Sequence, residues 1–252
     1  MSLAHSIRRS LSRRYLLPMS VSRTRFLQLL AEASLRQAKV SLGAYDPLTR
    51  LAAKHKTDKG VTVFPFMAYT IHYDRLFRSF RDRSINILEV GLGPRELSTC
   101  PSLKMWGEYF PKATIYGFDI QDFSDVNLPK THILQGDQGR PSDLLKIVDH
   151  CANFDIIIED GSHASFHQQV TLKTLFPYLA DGGLYVIEDL LFQPPKLEED
   201  LPATKKTREL LKDRAAVDKI IEGVKDIVFL DSPIHQRQEG AVVISKVGAQ
   251  SR

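Results

Sequence analysis

Cysteine is nearly absent. Cys100 and Cys151 are the only two in 252 residues, too few for a disulfide framework and without metal-ligand spacing. A reducing, intracellular compartment is therefore expected. Long apolar runs are missing as well, and none approaches the roughly 18 residues a spanning helix needs, so no membrane span is expected. Internal repeats and low-complexity stretches are lacking. What remains is ordinary for a globular chain, with 43% apolar and 25% charged residues, long enough for one α/β domain plus extra helical structure.

Acidic residues are missing from the first 31 positions. Arg8, Arg9, Arg13, Arg14, Arg23 and Arg25 stand there unopposed before Glu32. Against a net charge of +4, these six leave the rest of the chain at −2. The basicity thus belongs to a tail over 1–25. No basic, aromatic-interleaved stripe follows it, so nucleic acid is not an expected partner. The Arg- and Ser-rich start fits a mitochondrial transit peptide. It fits equally a solvated or membrane-surface helix with Ile7, Leu11, Tyr15 and Leu16 as its stripe. A cytoplasmic location is expected, with the mitochondrion as the alternative.

What is present divides after the tail into a helical segment over 26–82 and an α/β segment over 83–248. TRFLQLLAEASLRQAKV (24–40) carries Phe26, Leu29, Leu30 and Leu35 at helical spacing. Asp46-Pro47 reads as a turn or helix start before Leu51 and Ala52. KHKTDKG (54–60) reads as a polar loop, and 67–80 as a helix burying Ile71, Leu76, Phe77 and Phe80. From there short β-branched runs alternate with amphipathic stretches. Strands are expected at 85–91, 114–120, 131–137, 154–160 and 184–190, with a closing antiparallel pair at 226–231 and 240–246. Helices are expected at 102–110, 142–151 (Ser142 as N-cap), 167–179 and 203–224. Apolar runs without alternation are what a parallel sheet covered on both faces demands. The expected fold is a doubly wound, mainly parallel, seven-stranded, Rossmann-like α/β sheet. The insert FQPPKLEEDLP (192–202) is either a lid or a plain surface loop.

In such sheets ligands sit beyond the carboxyl ends of the strands. The first turn there contains Glu89, Gly91 and Gly93, and the glycines let a backbone approach a ligand closely. A dinucleotide would want a small residue at 96, where the chain has glutamate, and a carboxylate there repels a pyrophosphate. S-adenosylmethionine has no phosphate, and its sulfonium tolerates an acid such as Glu89. Asp119, ending the second strand, is placed to accept from ribose hydroxyls. Asp137 and Gln138, ending the third, lie where an adenine edge would be.

Asp160 closes the fourth strand and Glu188-Asp189 the fifth. Neighbouring strands about 4.8 Å apart bring these carboxylates together. Each raises the other's pKa, a conflict that a divalent cation removes. An oxygen-only set suits Mg²⁺, with Mn²⁺ or Ca²⁺ after it. The alternative is that these acids cap loops or pair with lysines. Adjacent strand residues face opposite ways, so Glu188 and Asp189 share an ion only if the strand has ended. His163, three residues past Asp160, is the candidate general base. His167 would share a helix face with it if the helix began early, but a lone loop histidine is more often solvated.

KHKTDKG (54–60), INILEVGLG (85–93), SLKMWGEYFPKATIYGFDI (102–120), GDQ (136–138), FDIIIEDGSH (154–163) and GGLYVIEDL (182–190) together resemble the macrocin and mycinamicin type of sugar O-methyltransferase. That group includes rhamnosyl O-methyltransferases and proteins labelled cephalosporin hydroxylase. The resemblance implies a class I S-adenosylmethionine-dependent enzyme that methylates a hydroxyl of a sugar or polyketide-type small molecule, as in antibiotic biosynthesis. It implies that Asp160, Glu188 and Asp189 bind Mg²⁺ and that His163 is the base. Lys56, Thr57, Asp58, Tyr69, His72 and Tyr73 are candidate wall residues. The chain departs from the group at Pro94 and Cys100-Pro101, where relatives carry glycines, and it is shorter than relatives with a separate N-terminal domain. Homo-oligomerisation is left open. The rival readings are a non-haem iron hydroxylase, disfavoured because iron wants two histidines, and a cofactor-binding protein without transferase activity.

Overall fold

The β-branched runs form one sheet in the computed structural model, which describes residues 45–61, 68–95, 99–231 and 239–248. The basic tail, the helix expected over 24–40 and position 96 lie outside these residues. The strands are β1 Asn86–Val90, β2 Thr114–Asp119, β3 Thr131–Gln135, β4 Phe154–Glu159, β5 Leu179–Ile187, β6 Val224–Asp231 and β7 Glu239–Lys246. Their order is β3-β2-β1-β4-β5-β7-β6. The first five pair in parallel, and β7 inserts antiparallel between β5 and β6. The chain winds outward from β1 through β2 to β3, then returns to β4. The crevice between β1 and β4 is therefore the switch point, where a ligand is expected.

Ile156, Ile157 and Ile158 of β4 are all fully buried, which is why the run shows no alternation: both faces are covered. On one face lie α1 Pro47–His55, α2 Tyr69–Phe77 and α3 Pro101–Tyr109. Leu48, Ala52, Tyr73, Phe77 and Trp106 share a single apolar cluster there with Ile87, Ile115 and Ile156 of the sheet. Tyr73 stacks on Phe77 at 5.0 Å and Trp106 meets Phe77 edge-on at 6.0 Å. Each such buried ring removes roughly 150–250 Å² from water, worth about 4–6 kcal/mol as an upper estimate. The opposite face is covered by α4 Pro141–His150, α5 Ser165–Leu175 and two short helices, α7 Thr207–Leu211 and α8 Arg214–Val217. Between β5 and these lies α6 Pro195–Asp200, inside the Pro-rich insert.

Several expectations shift in detail. Asp46 caps α1, its Oδ1 accepting from the Thr49 amide at 2.8 Å. Along α2 the buried face runs through Tyr69, Tyr73 and Phe77; Phe77 and Phe80 are buried as expected and Leu76 partly so, whereas Ile71 is exposed. Ser142 is not the cap of α4. Arg140 holds that position and Pro141 follows, a residue whose missing N–H costs nothing in a first turn. The helix expected over 203–224 is two short ones, because the Asp213 side chain accepts from the Ala216 amide and starts a new helix there. β5 begins at Leu179, ahead of the expected 184, through a register shift against β4. Among the described residues, no helix is long and apolar enough to cross a membrane.

Candidate active site

A cavity of about 610 Å³ opens at the carboxyl ends of β1, β2, β3 and β4. Its walls include Gly91, Gly93, Asp119, Asp137, Gln138, Asp160 and His163, with Lys196, Leu197 and Asp200 of α6 on the far side. Gly91 has φ +93°, and a Cβ there would collide with the Asp160 carbonyl. Its amide donates to the Phe118 carbonyl at 2.8 Å. The turn after β1 is thus wedged between the ends of β2 and β4, a place that only glycine fits. Gly91→Ala is expected to cost on the order of 3 kcal/mol of folding stability, read from urea denaturation midpoints.

Asp119 is nine-tenths buried and staples two loops. Its Oδ2 accepts from the Leu92 amide at 2.7 Å and its Oδ1 from the Gln121 amide at 2.8 Å. The Asp137 carboxylate accepts from the Gly139 amide at 2.8 Å. Gln138 ties the end of β3 to β4, donating to Glu159 Oε1 and accepting from the Ser162 amide, both at 2.8 Å. Glu89 does not line the cavity. It faces the other way, accepting from Trp106 Nε1 at 3.1 Å with Lys59 Nζ at 3.2 Å, and burial raises its carboxyl above the usual range.

Behind Asp160 and His163 of the cavity lining the acids converge. β5 ends at Ile187, so Glu188 and Asp189 stand beyond the pleat, and Asp189 takes φ +55°. That break removes the opposite-face constraint on adjacent strand residues. Helix α2 presents two hydroxyls one turn apart to the pair. Tyr73 donates to Glu188 Oε1 at 2.9 Å and Tyr69 to Asp189 Oδ1 at 2.7 Å. Lys59 enters from the polar loop after α1, with Nζ 2.6 Å from Asp160 Oδ2 and 2.8 Å from Glu188 Oε2. His163, at φ +62°, puts Nε2 3.5 Å from Asp189 Oδ2 and Nδ1 3.9 Å from Asp160 Oδ1. One ligand atom each from Asp160, His163 and Asp189 lie within 4.8 Å of one another.

The electrostatics follow from burial. Desolvation alone would depress the Lys59 ammonium, but Asp160, Glu188 and Glu89 outweigh it and hold it well above the usual lysine range. Burial, reinforced by Asp160, pushes the Asp189 carboxyl up to about 8. Asp189 Oδ2 is buried and accepts no hydrogen bond from any described residue. A cation beside Asp160 and Asp189 would relieve both the raised pKa and the unmet acceptor. The buried donors present therefore fit a divalent ion.

Lys59 escaped the sequence reading. It sits in KHKTDKG between Asp58 and Gly60, and nothing in the periodicity marks it as buried; only the reading of acids paired with lysines pointed toward it. Glu159, fully buried and raised to about 8 by desolvation, was also missed because it lies inside an apolar strand. Of the wall candidates, Tyr69 and Tyr73 bind the acids, Thr57 is buried, Lys56 is exposed, Asp58 and His72 are half-buried, and none lines the cavity. His167 does line it. Helix α5 begins at Ser165, past His163, so the two histidines share no helix face. Instead His167 Nδ1 shares a hydrogen bond with Ser162 Oγ at 2.7 Å.

No protein-family model matches the chain. Over 145 residues it is 40% identical to 8-demethyl-8-alpha-L-rhamnosyl tetracenomycin-C 2'-O-methyltransferase of Streptomyces olivaceus, covering 57% of this chain and 37% of that protein. Over 166 residues it is 37% identical to mycinamicin VI 2''-O-methyltransferase of Micromonospora griseorubida, covering 64% and 41%. The chain thus spans less than half the length of these curated relatives. Among solved structures it is similar to the MycE methyltransferase from the mycinamycin biosynthetic pathway in complex with Mg, SAH and mycinamycin VI. The TM-score is 0.62 at 25% identity, covering 93% of this chain and 65% of that one. The sheet and its helices are those of class I S-adenosylmethionine-dependent methyltransferases.

Proposed function

We propose that the chain is a metal-assisted O-methyltransferase that transfers a methyl group from S-adenosylmethionine to a hydroxyl of a sugar or polyketide-type small molecule. The observation that carries this is one continuous surface. The cavity at the switch point is lined by the glycine turn, Asp119, Asp160 and His163, and the buried Asp189 lies behind the last two, with one ligand atom from each of Asp160, His163 and Asp189 within 4.8 Å of one another. The relatives support the reading, since their names describe O-methylation and the similar structure holds Mg and SAH.

Gly91, Gly93, Asp119, Asp137 and Gln138 would hold the cofactor, which supplies the methyl group. Glu89 acts from behind the turn, as a buried negative charge near the cofactor's cationic end. Asp160, Glu188 and Asp189 would form an acidic seat for Mg²⁺, which as a Lewis acid would supply the lowered pKa that an aliphatic hydroxyl needs. His163, on the cavity wall above this seat, takes the hydroxyl proton. Its Nε2 lies 3.5 Å from Asp189 Oδ2 and its Nδ1 3.9 Å from Asp160 Oδ1. Tyr69 and Tyr73 fix the acids before any substrate arrives, so little reorganisation accompanies the reaction. Helix α6 lies over the cavity and is pinned to the start of α5 by Glu198, whose Oε1 accepts from the Ser165 amide at 2.6 Å.

Titration calorimetry with S-adenosylmethionine and S-adenosylhomocysteine, with and without Mg²⁺, tests this on wild type and Asp160→Asn. Cofactor affinity on the order of micromolar is expected, about 8 kcal/mol, with a separate Mg²⁺ heat that the variant lacks. Cofactor binding with no Mg²⁺ heat removes the metal from the mechanism. No cofactor binding removes the methyltransferase reading itself.

A further inference from the structure

Glu159 is fully buried at the end of β4, where a glutamate is almost never found without a partner. Among the described residues its carboxylate bonds to one patch of chain beside the cavity. Oε1 accepts from Gln138 Nε2 at 2.8 Å and from the Gly161 amide at 3.3 Å, while the buried Oε2 accepts from none. Gln138 carries the connection onward. Its Oε1 accepts from the Ser162 amide at 2.8 Å, and that donor settles which way the side-chain amide turns, with its NH₂ toward Glu159. The fit is close: a Cβ on Gly161 would collide with Gln138 Oε1. Ser162 is held at its side chain as well. Its Oγ shares a hydrogen bond with His167 Nδ1 at 2.7 Å and accepts from the Ala164 amide at 3.3 Å. His163 lies between these tied neighbours at φ +62°. A strained backbone of this kind persists only where its surroundings over-determine it.

We infer that Glu159 is a positioning residue which, through Gln138, clamps the turn carrying His163 against the cofactor wall. This rests on the reading of His163 as the base and extends it. One half-buried glutamine ties the end of β3, in the wall proposed for the cofactor, to the turn after β4. Glu159 does not line the cavity. What it supplies is a hydrogen-bond acceptor in a fixed place, so that the imidazole stays between Asp160 and Asp189. Without that acceptor the Gln138 NH₂ keeps only Thr171 Oγ1, at 3.5 Å, as an anchor. The bond to Ser162 then weakens and the strained turn relaxes.

The test uses the full chain and the variants E159M, E159Q, Q138M and E159M/Q138M. Two readouts are taken: kcat with a glycoside acceptor beside S-adenosylhomocysteine affinity, and hydrogen exchange of the Ser162 amide by NMR. Methionine is of similar size to either residue and offers no strong acceptor. E159M is expected to lower kcat by about 10²-fold, the cost of misplacing a reacting group by roughly 1 Å. Its S-adenosylhomocysteine affinity should stay within about fivefold of wild type, whereas a residue that merely supported the fold would lose both together. Exchange at Ser162 should quicken by about tenfold in E159M and in Q138M, as one hydrogen bond is weakened. E159Q keeps an oxygen for the same two donors, and its kcat should lie within about fivefold of wild type. The double variant should fall no more than about threefold below the poorer single, since the two residues act as one unit. A kcat for E159M within about threefold of wild type overturns the inference. So does an E159Q as slow as E159M, or additive losses in the double variant. If E159M fails to fold, Q138M, at a half-buried position, puts the same question to kcat and to the Ser162 amide. A wild type without turnover, or a His163→Ala variant that turns over normally, overturns the reading on which this rests; the clamp itself then stands or falls on Ser162 exchange.

Discussion

His163→Ala is expected to lower kcat by roughly 10²–10⁴-fold, the span typical of losing a positioned general base, with cofactor affinity unchanged within about threefold. The imidazole is the group on the cavity wall that stands between the two acids of the metal seat. The glycine turn and the Asp119 staple are held by the Phe118 carbonyl and the Leu92 and Gln121 amides, so binding of S-adenosylmethionine should survive. The readout is formation of S-adenosylhomocysteine with the first hydroxylated glycoside that turns over in an acceptor screen. Added imidazole should restore part of the rate in the alanine variant, an effect that a purely structural role would not produce. A kcat within tenfold of wild type would remove His163 from proton transfer.

The backbone adds a second, independent expectation at the same residue. His163 sits at φ +62°, where any side chain with a Cβ is strained and glycine is not. His163→Gly and His163→Ala both lack the ring, yet the glycine variant should be the more stable by about 1 kcal/mol in urea denaturation. Asp189 carries the same signature at φ +55°. The two left-handed residues face each other, with His163 Nε2 3.5 Å from Asp189 Oδ2.

The fold was legible because its signals are local. Each strand is a short apolar run, and the switch from such runs to amphipathic stretches sets the doubly wound order without knowledge of the contacts. Asp119, Asp137, Gln138 and Asp160 were legible for the same reason: each lies at the carboxyl end of a strand, and topology alone brings those ends to one crevice. What was hidden depends on distance in space. Lys59 reaches Asp160 across 101 positions and Glu188 across 129, and a lysine in a polar loop looks the same whether it is solvated or buried. Glu89, read as an acid near the cofactor, is buried against Trp106 and Lys59 and does not line the cavity, a placement that its position at the end of β1 does not reveal. On helix α2, Phe77 and Phe80 were legible as core, but Ile71 was taken for a buried residue where Tyr69 and Tyr73 hold that face. Tyr69 and Tyr73 carry hydroxyls that a hydrophobic count treats as half-polar, whereas their bonds to Asp189 and Glu188 let the whole ring sink into the core.

Asp119→Ala is expected to weaken S-adenosylmethionine and S-adenosylhomocysteine binding by about 100-fold or more, since hydrogen bonds to a charged group are worth roughly 1.5–3 kcal/mol each. Two losses combine. The acceptor for ribose hydroxyls goes, and so does the staple that holds the turn after β1 against the loop after β2 through the Leu92 and Gln121 amides. Asparagine should not rescue. Both oxygens of Asp119 face N–H donors, and an amide would turn its NH₂ toward one of them. Asp137→Ala should be milder, because the Asp137 carboxylate reaches Gly139 and Arg140 within its own turn and staples no second loop among the described residues. Calorimetry with S-adenosylhomocysteine, which needs no acceptor, ranks the three variants directly. If Asp119→Asn binds as wild type does, the two-donor staple is not what shapes the cofactor site. If Asp119→Ala loses less than tenfold, the ribose sits elsewhere in the cavity and the turn after β1 holds its shape through Gly91 alone, wedged against the Asp160 carbonyl.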